Sequence, residues 1–149
     1  MKLFDLCSSE LISVPRSATI IEAAILMREK HVGSVVVMGD SLPPRAVGII
    51  TDRDIVIKVV AFAKQQAILS VEQVMSKELV VSPGTFGVYE AMELMRDRGV
   101  RRLLVLNEAG EPRGVVSFDD LLLMVSKEVG TMAETVANGL LHEEKLLPP

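Results

Sequence analysis

Apolar residues recur along this chain with two different periods, which predict its helices and strands. In residues 20–30 and 88–98 the apolar positions fall three or four residues apart, on one face of a helix. Shorter apolar runs, separated by Gly, Pro, Asp or Asn, predict strands. The predicted strands are residues 11–14, 34–38, 46–50, 79–82, 103–106 and 114–116. A second helix is expected in each half, at residues 52–63 and 118–129.

The chain also repeats itself, because many residues recur after a constant shift. The shift is 68 residues, as between Met27 and Met95, and it shortens to 66 at Gly48 and Gly114, where the second turn is shorter. The pattern predicts two β-α-β-β-α units, an α/β (α+β) architecture. The predicted organisation is repeat 1 at residues 3–63, a linker at 64–70, repeat 2 at 71–130 and a helical tail at 131–149.

The helix starts differ between the repeats. Thr19 and Glu22 form a capping-box pattern before the first amphipathic helix. Gly87 stands where Thr19 stands in the first repeat, so this cap is expected to be lost in the second.

The second helices are apolar nearly all round, which exceeds what one small core needs. Because both repeats carry this excess, the chain is expected to form a homodimer or a larger assembly. In the tail, Met132, Val136 and Leu140 form an apolar stripe that is expected to dock on its own domain or on the dimer mate.

Composition narrows the class of protein. Hydrophobic residues make up 49% of the 149 residues and aromatic residues only 3%, so the core is expected to be aliphatic. The formal net charge is −4 and the 16 Lys and Arg residues are dispersed, which argues against nucleic-acid binding. Charged residues interrupt the apolar stretches, so no membrane insertion is predicted. The single cysteine, Cys7, is expected to be a core side chain in a reducing cytoplasm.

A matched junction leads into each predicted second helix. It runs from Gly48 to Asp54 in the first repeat and from Gly114 to Asp120 in the second. Both copies read glycine, two apolar residues, Thr or Ser, two variable residues and Asp. One interpretation is a capping box, in which the hydroxyl and the carboxylate satisfy backbone N–H groups.

The other interpretation is a ligand site at the same helix start. A phosphate near a helix N-terminus would accept from backbone N–H groups and from the hydroxyl of Thr51 or Ser117. A carboxylate repels phosphate but accepts hydrogen bonds from ribose, which suits Asp54 and Asp120. The two glycines would let a ligand approach the strand.

The doubled unit with its repeated junction resembles a tandem CBS-domain (Bateman) module of the stand-alone prokaryotic type, over about residues 3–130. The resemblance implies two repeats packed about a pseudo-twofold axis, with two clefts that bind AMP, ADP or ATP, or in some members S-adenosylmethionine. It assigns phosphate contacts to Thr51 and Ser117 and ribose contacts to Asp54 and Asp120. It implies a non-catalytic regulator without a catalytic cofactor, whose regulated partner is another protein.

The resemblance leaves the two clefts unequal. Arg53 is expected to reach a phosphate from the first junction, whereas Asp119 at the matching position would oppose one. Arg101 and Arg102 lead into the second repeat's strand and are further candidates to line a cleft. Apolar candidates for adenine contacts follow from the same resemblance. They are Ile12, Val14, Val35, Val80 and Leu103, together with the polar Ser82.

Two other functions are considered. One is a structural or adaptor dimer that binds no ligand, in which both junctions serve as caps only. The other is a small phosphatase, because Asp52 and Asp54 resemble a nucleophile motif with a second carboxylate as acid or base; the second repeat breaks that spacing. A metal site is not expected, since His31, His142 and Cys7 lack ligand spacing.

Overall fold

The computed structural model describes residues 2–7, 10–62 and 68–146. Each repeat contains three strands and two helices, in the predicted order. The first part of the chain comprises α1 (Leu3–Leu6), β1 (Ser13–Pro15), α2 (Ile20–Lys30), β2 (Ser34–Met38), β3 (Ala46–Thr51) and α3 (Asp52–Ile55), which continues as a π-helical segment (Val56–Val60). The second comprises a 3-10 turn (Val71–Gln73), β4 (Val81–Pro83), α4 (Val88–Arg98), β5 (Arg102–Leu106), β6 (Pro112–Ser117) and α5 (Phe118–Leu146).

The strands form two three-stranded sheets with the same topology. In the first, β1 runs parallel to β2 and β2 runs antiparallel to β3; β4, β5 and β6 repeat this arrangement. Even the irregularities match, because the register shifts between Val37 and Met38 and between Val105 and Leu106. The mixed α+β class and the internal repeat are thereby confirmed.

Helix α2 begins at the predicted capping box. Thr19 Oγ1 accepts a hydrogen bond from the Glu22 N–H (3.2 Å), and the Glu22 carboxylate accepts from the Thr19 N–H (2.6 Å). The predicted loss of this cap in α4 is confirmed for the hydroxyl half of the box and wrong for the carboxylate half. Gly87 has no hydroxyl, but its N–H still donates to the Glu90 carboxylate at 2.6 Å, because that half of the box needs only backbone.

The two aliphatic cores exchange their leading segments. Leu3, from α1, is fully buried in the second repeat's core beside Met95 and Leu121. Val71 is fully buried in the first repeat's core, and its N–H donates to the Ala18 carbonyl at 2.8 Å. The core of each repeat therefore contains a residue from the start of the other repeat.

Helix α5 is longer than its predicted end at residue 129. It runs through Leu146, and it passes Gly130 because a helix tolerates one glycine at a cost of about 1 kcal/mol. The tail does not dock on its own domain: Met132, Val136 and Leu140 are 66%, 65% and 59% exposed. Residues 63–67, within the predicted linker, and 147–149 lie outside the described residues.

None of the helices in the described part of the chain combines the length and the hydropathy that crossing a bilayer requires.

Candidate functional site

The first junction forms a complete capping box between β3 and α3. Thr51 Oγ1 accepts from the Asp54 N–H at 3.0 Å, while Asp54 Oδ2 accepts from the Thr51 N–H at 3.0 Å and from its hydroxyl at 2.7 Å. The capping interpretation is therefore confirmed for this junction. One carboxylate oxygen, Oδ2, accepts both of the bonds that Thr51 donates.

The other oxygen of Asp54 is held by a lysine one helical turn later. Lys58 Nζ lies 2.8 Å from Asp54 Oδ1 and also donates to the Val74 carbonyl at 3.1 Å. Burial raises the pKa of the Asp54 carboxyl, but the hydrogen bonds from Lys58 and Thr51 lower it by more, so that it lies below its ordinary value. Both oxygens of Asp54 are thus engaged within the chain.

The second junction repeats the box without the lysine. Asp120 Oδ2 accepts from the Ser117 N–H at 2.8 Å and from its hydroxyl at 2.6 Å, and Ser117 Oγ accepts from the Asp120 N–H at 3.2 Å. Met124 stands four residues after Asp120, where the first repeat has Lys58. Among the residues that the structure describes, no cation pairs with Asp120.

A cleft of about 400 Å³ lies at the second junction, and we name it cleft A. One side comes from the second repeat, with Gly114, Ser117 and Asp120 at the end of β6 and the start of α5. The other side comes from the first repeat, where Ile12 and Val32 supply apolar surface. Cleft A therefore brings together a hydroxyl, a carboxylate, a helix N-terminus and an apolar wall.

A smaller cleft of about 180 Å³, cleft B, lies at the first junction. Thr51 and Ile49 come from the first repeat, and Val80, Arg101 and Arg102 come from the second. Several lining positions correspond between the clefts, among them Ile12 with Val80 and Ser117 with Thr51, as expected for two similar repeats packed together. Among the described residues that line cleft B, Thr51 is present but Asp54 is absent.

Charge distinguishes cleft A from cleft B. Asp52, Asp119 and Asp120 line cleft A, and Arg102 is the cation among its described lining residues. Arg101 offsets one of these carboxylates, because its Nη2 lies 3.0 Å from Asp119 Oδ1, although both side chains are largely exposed. Cleft A is thus acidic overall, whereas the described lining of cleft B has two arginines and one carboxylate, Glu78.

Two predicted site residues lie away from the clefts. Arg53 is exposed and is absent from the described linings of both clefts. Gly48 is also absent, and the close approach predicted there is made by the chain itself. A Cβ at Gly48 would lie 2.8 Å from the Ser76 carbonyl oxygen and would overlap Met75.

The apolar candidates divide in the same way. Ile12 lines cleft A and Val80 lines cleft B. Val14, Val35 and Leu103 are buried in the two cores and are absent from the described linings of both clefts, so their contact with a ligand stays a prediction. Strand positions alternate between the two faces of a sheet, and these three face the core.

Cys7 packs at the edge of the second repeat's core. Burial raises the pKa of its thiol to about 11; Arg113 opposes this shift and the charge of Asp120 adds to it. The prediction of a packed side chain is confirmed in part, because Cys7 is half-buried rather than fully buried. Its thiol stays protonated at neutral pH.

Comparison with known proteins identifies a matching family model and two similar proteins. The family model of the CBS domain matches residues 3–61 and 71–127. An uncharacterized protein of Methanopyrus kandleri is 34% identical over 130 residues, covering 87% of this chain and 65% of that protein's length. The CBS domain-containing protein YhcV of Bacillus subtilis is 28% identical, covering 93% of this chain and 96% of YhcV.

A solved structure shares the fold closely. It is the CBS domain protein PAE2072 of Pyrobaculum aerophilum complexed with AMP, which has 27% sequence identity and a TM-score of 0.73. The match covers 85% of this chain and 99% of that chain.

Proposed function

The chain belongs to the CBS-domain family, and from this premise we propose that it is a non-catalytic sensor that binds an adenine nucleotide between its repeats and regulates another protein. The observation that carries the proposal is cleft A, where Ser117 and Asp120 stand at the start of α5 and face apolar residues of the other repeat. The AMP complex of PAE2072 supports the ligand class.

The chemistry of cleft A suits each part of a nucleoside monophosphate. The hydroxyl hydrogen of Ser117 can rotate from Asp120 to a phosphate oxygen, while Oγ still accepts the Asp120 N–H. Asp120 Oδ1, which is not used in the capping box, accepts from the ribose hydroxyls. Ile12 and Val32 pack against the apolar faces of adenine. A volume of about 400 Å³ lies within the range of small-molecule sites, about 300–1,000 Å³.

Regulation then follows from the position of the cleft between the repeats. A ligand that contacts both repeats changes their relative placement only through a difference in affinity between two arrangements. At 100 times its dissociation constant, a ligand stabilises the binding arrangement by about 2.7 kcal/mol. This is enough to change the docking of a partner protein by about two orders of magnitude.

We propose that the chain works as a homodimer. Exposed apolar side chains remain on the second helices of both repeats and on the extension of α5. They are Val56, Val60, Phe62, Leu122, Leu123, Val129, Met132, Val136 and Leu140. With about 60–100 Å² exposed on each side chain, they offer roughly 500–900 Å², near the 800 Å² per partner of a standard interface.

A second copy suits the α5 extension because Val129, Met132, Val136 and Leu140 lie on one helical face. An isologous pair of such helices buries the same stripe from both chains. Sedimentation equilibrium of the wild type and of a Met132→Glu/Val136→Glu variant tests this. A dimer that becomes monomeric in the variant supports the proposal, and a wild-type monomer at 100 μM overturns it.

Isothermal calorimetry with AMP, ADP, ATP and S-adenosylmethionine, each with and without magnesium, tests the sensor function. Saturable binding of an adenine nucleotide supports it. If no ligand produces heat or a thermal shift at millimolar concentration, the second candidate, a ligand-free adaptor dimer, takes its place. That candidate is favoured by the capping boxes, which are complete without a ligand. Phosphate release from any nucleotide, lost in Asp52→Asn, would instead indicate the phosphatase.

A further inference from the structure

We infer that Lys58 occupies the ribose-binding carboxylate of the first repeat, so that each chain binds nucleotide in cleft A and leaves cleft B unused. This inference rests on the proposed function, since it concerns the same pair of sites. One side chain then decides whether the carboxylate of the first junction can accept from a ribose.

The first step concerns the acceptor positions of Asp54. A ribose needs a carboxylate oxygen that is available to accept from its hydroxyls. Asp54 Oδ2 already accepts from Thr51, and Oδ1 lies 2.8 Å from Lys58 Nζ. The side chain of Asp54 is 18% exposed, so a ribose has little access to it from solvent. Binding in cleft B therefore requires that the ion pair be broken first.

The second step concerns how firmly Lys58 is held. The ammonium group also donates to the Val74 carbonyl at 3.1 Å. Val74 belongs to the segment that completes the first repeat's core, and it is 5% exposed. Lys58 is thereby anchored at both Asp54 and the exchanged segment. Displacing the Lys58 ammonium breaks two of its hydrogen bonds rather than one.

The third step is the comparison that the repeat provides within the same chain. Asp120 uses only Oδ2 in its capping box, and the residue one turn later is Met124, which has no charge. Asp120 lines its cleft, whereas Asp54 is absent from the described lining of cleft B. Among the described residues, Asp54 is the carboxylate that pairs with a cation, and Asp120 is the one that lines its cleft.

Cleft volume points the same way. Cleft A, at about 400 Å³, falls within the usual range for small-molecule sites of about 300–1,000 Å³, and cleft B, at about 180 Å³, falls below it. Cleft B nevertheless carries Arg101 and Arg102, which suit a phosphate. Cleft B is therefore limited by the engaged carboxylate of Asp54 and by its small volume, not by a lack of cations.

The test exchanges the two residues between the repeats and counts bound nucleotides by calorimetry with AMP. The wild type is expected to bind one AMP per chain. Lys58→Met, which copies Met124, is expected to add a second site, while Lys58→Arg keeps the ion pair and serves as the control with one site. Met124→Lys places a cation beside Asp120 and is expected to weaken binding in cleft A at least tenfold.

Thermal melting shows whether each variant is folded, and the two exchanges do not depend on each other. Two AMP molecules per wild-type chain would overturn the inference and leave the sensor function intact. The same holds if Lys58→Met keeps one site and Met124→Lys binds AMP with unchanged affinity. Failure of every variant and of the wild type to bind AMP would overturn the sensor function itself, together with the inference.

Discussion

Replacing Asp120 and Asp54 by alanine, one at a time, separates the two roles of these carboxylates. Each aspartate accepts the N–H and the hydroxyl hydrogen of the residue that begins its helix, so both variants lose an equivalent half of a capping box. Loss of a helix cap typically costs about 0.5–2 kcal/mol. The free energy of unfolding is therefore expected to fall by about 1 kcal/mol in Asp120→Ala and by more in Asp54→Ala, which also loses the ion pair with Lys58.

Nucleotide binding is expected to change in only one of them. Hydrogen bonds to a charged group contribute about 1.5–3 kcal/mol, so losing the Asp120 carboxylate raises the dissociation constant for AMP by about 10- to 100-fold. Asp54→Ala leaves that constant unchanged, because its carboxylate is held by Lys58 and does not line cleft A.

The measurements are urea unfolding for stability and calorimetry for affinity, on the same protein preparations. Unchanged affinity in Asp120→Ala would refute the assignment of ribose to cleft A. An equal loss of affinity in both variants would show that the cap, rather than the contact, controls binding. If both variants fail to fold, the asparagine variants, which keep one acceptor oxygen, repeat the comparison.

Three further predictions follow from charge, burial and protonation. Because Asp52 and Asp119 line cleft A with Arg102 as the described cation, AMP is expected to bind more tightly than ATP without magnesium; calorimetry that shows the reverse order would contradict this. Leu3→Ala is expected to lower the free energy of unfolding in urea by about 2–5 kcal/mol, since Leu3 is fully buried; a loss below 1 kcal/mol would argue against the exchanged core. The pKa of Asp54 is lowered in the folded protein, so its carboxylate stabilises the fold at pH values above its unfolded pKa of about 3.9. This stabilisation is lost as the pH falls through the folded pKa. An NMR titration of Asp54 with a midpoint at or above about 3.9 would be inconsistent with this prediction.

Local sequence pattern predicted most of the secondary structure. Helices α2 and α4 begin and end at the predicted residues, because amphipathic spacing and caps are local signals. The end of α5 was not predictable in this way: Gly130 resembles a helix stop, but no proline stands in the three residues after it, and Gly130 has no left-handed backbone. The exchange of leading segments was also missed, since an apolar residue such as Leu3 suits either core equally well.

The sequence predicted that the two clefts are unequal, but it assigned the difference to Arg53, Arg101 and Arg102 and missed Lys58. Ser117 and Asp120 meet in cleft A as the doubled junction predicted. The sequence contained a signal for the missed lysine, because Asp54 and Lys58 are four residues apart, the spacing at which opposite charges pair on a helix. Arg53 differs from the prediction because it is exposed outside the described linings of both clefts, and Gly48 because Met75 fills the space at the glycine.

The exchanged segments also determine when each core can form while the chain is made on the ribosome. Leu3 emerges well before its core partner Leu121, which is translated about 120 residues later. At about 5–20 residues per second, this takes roughly 6–24 s. The core of the first repeat can form only after Val71 and Val74 have emerged. Leu3 lacks its core partners until the second repeat has been made. The segment around Leu3 therefore stays open to chaperone binding until the second repeat has been made.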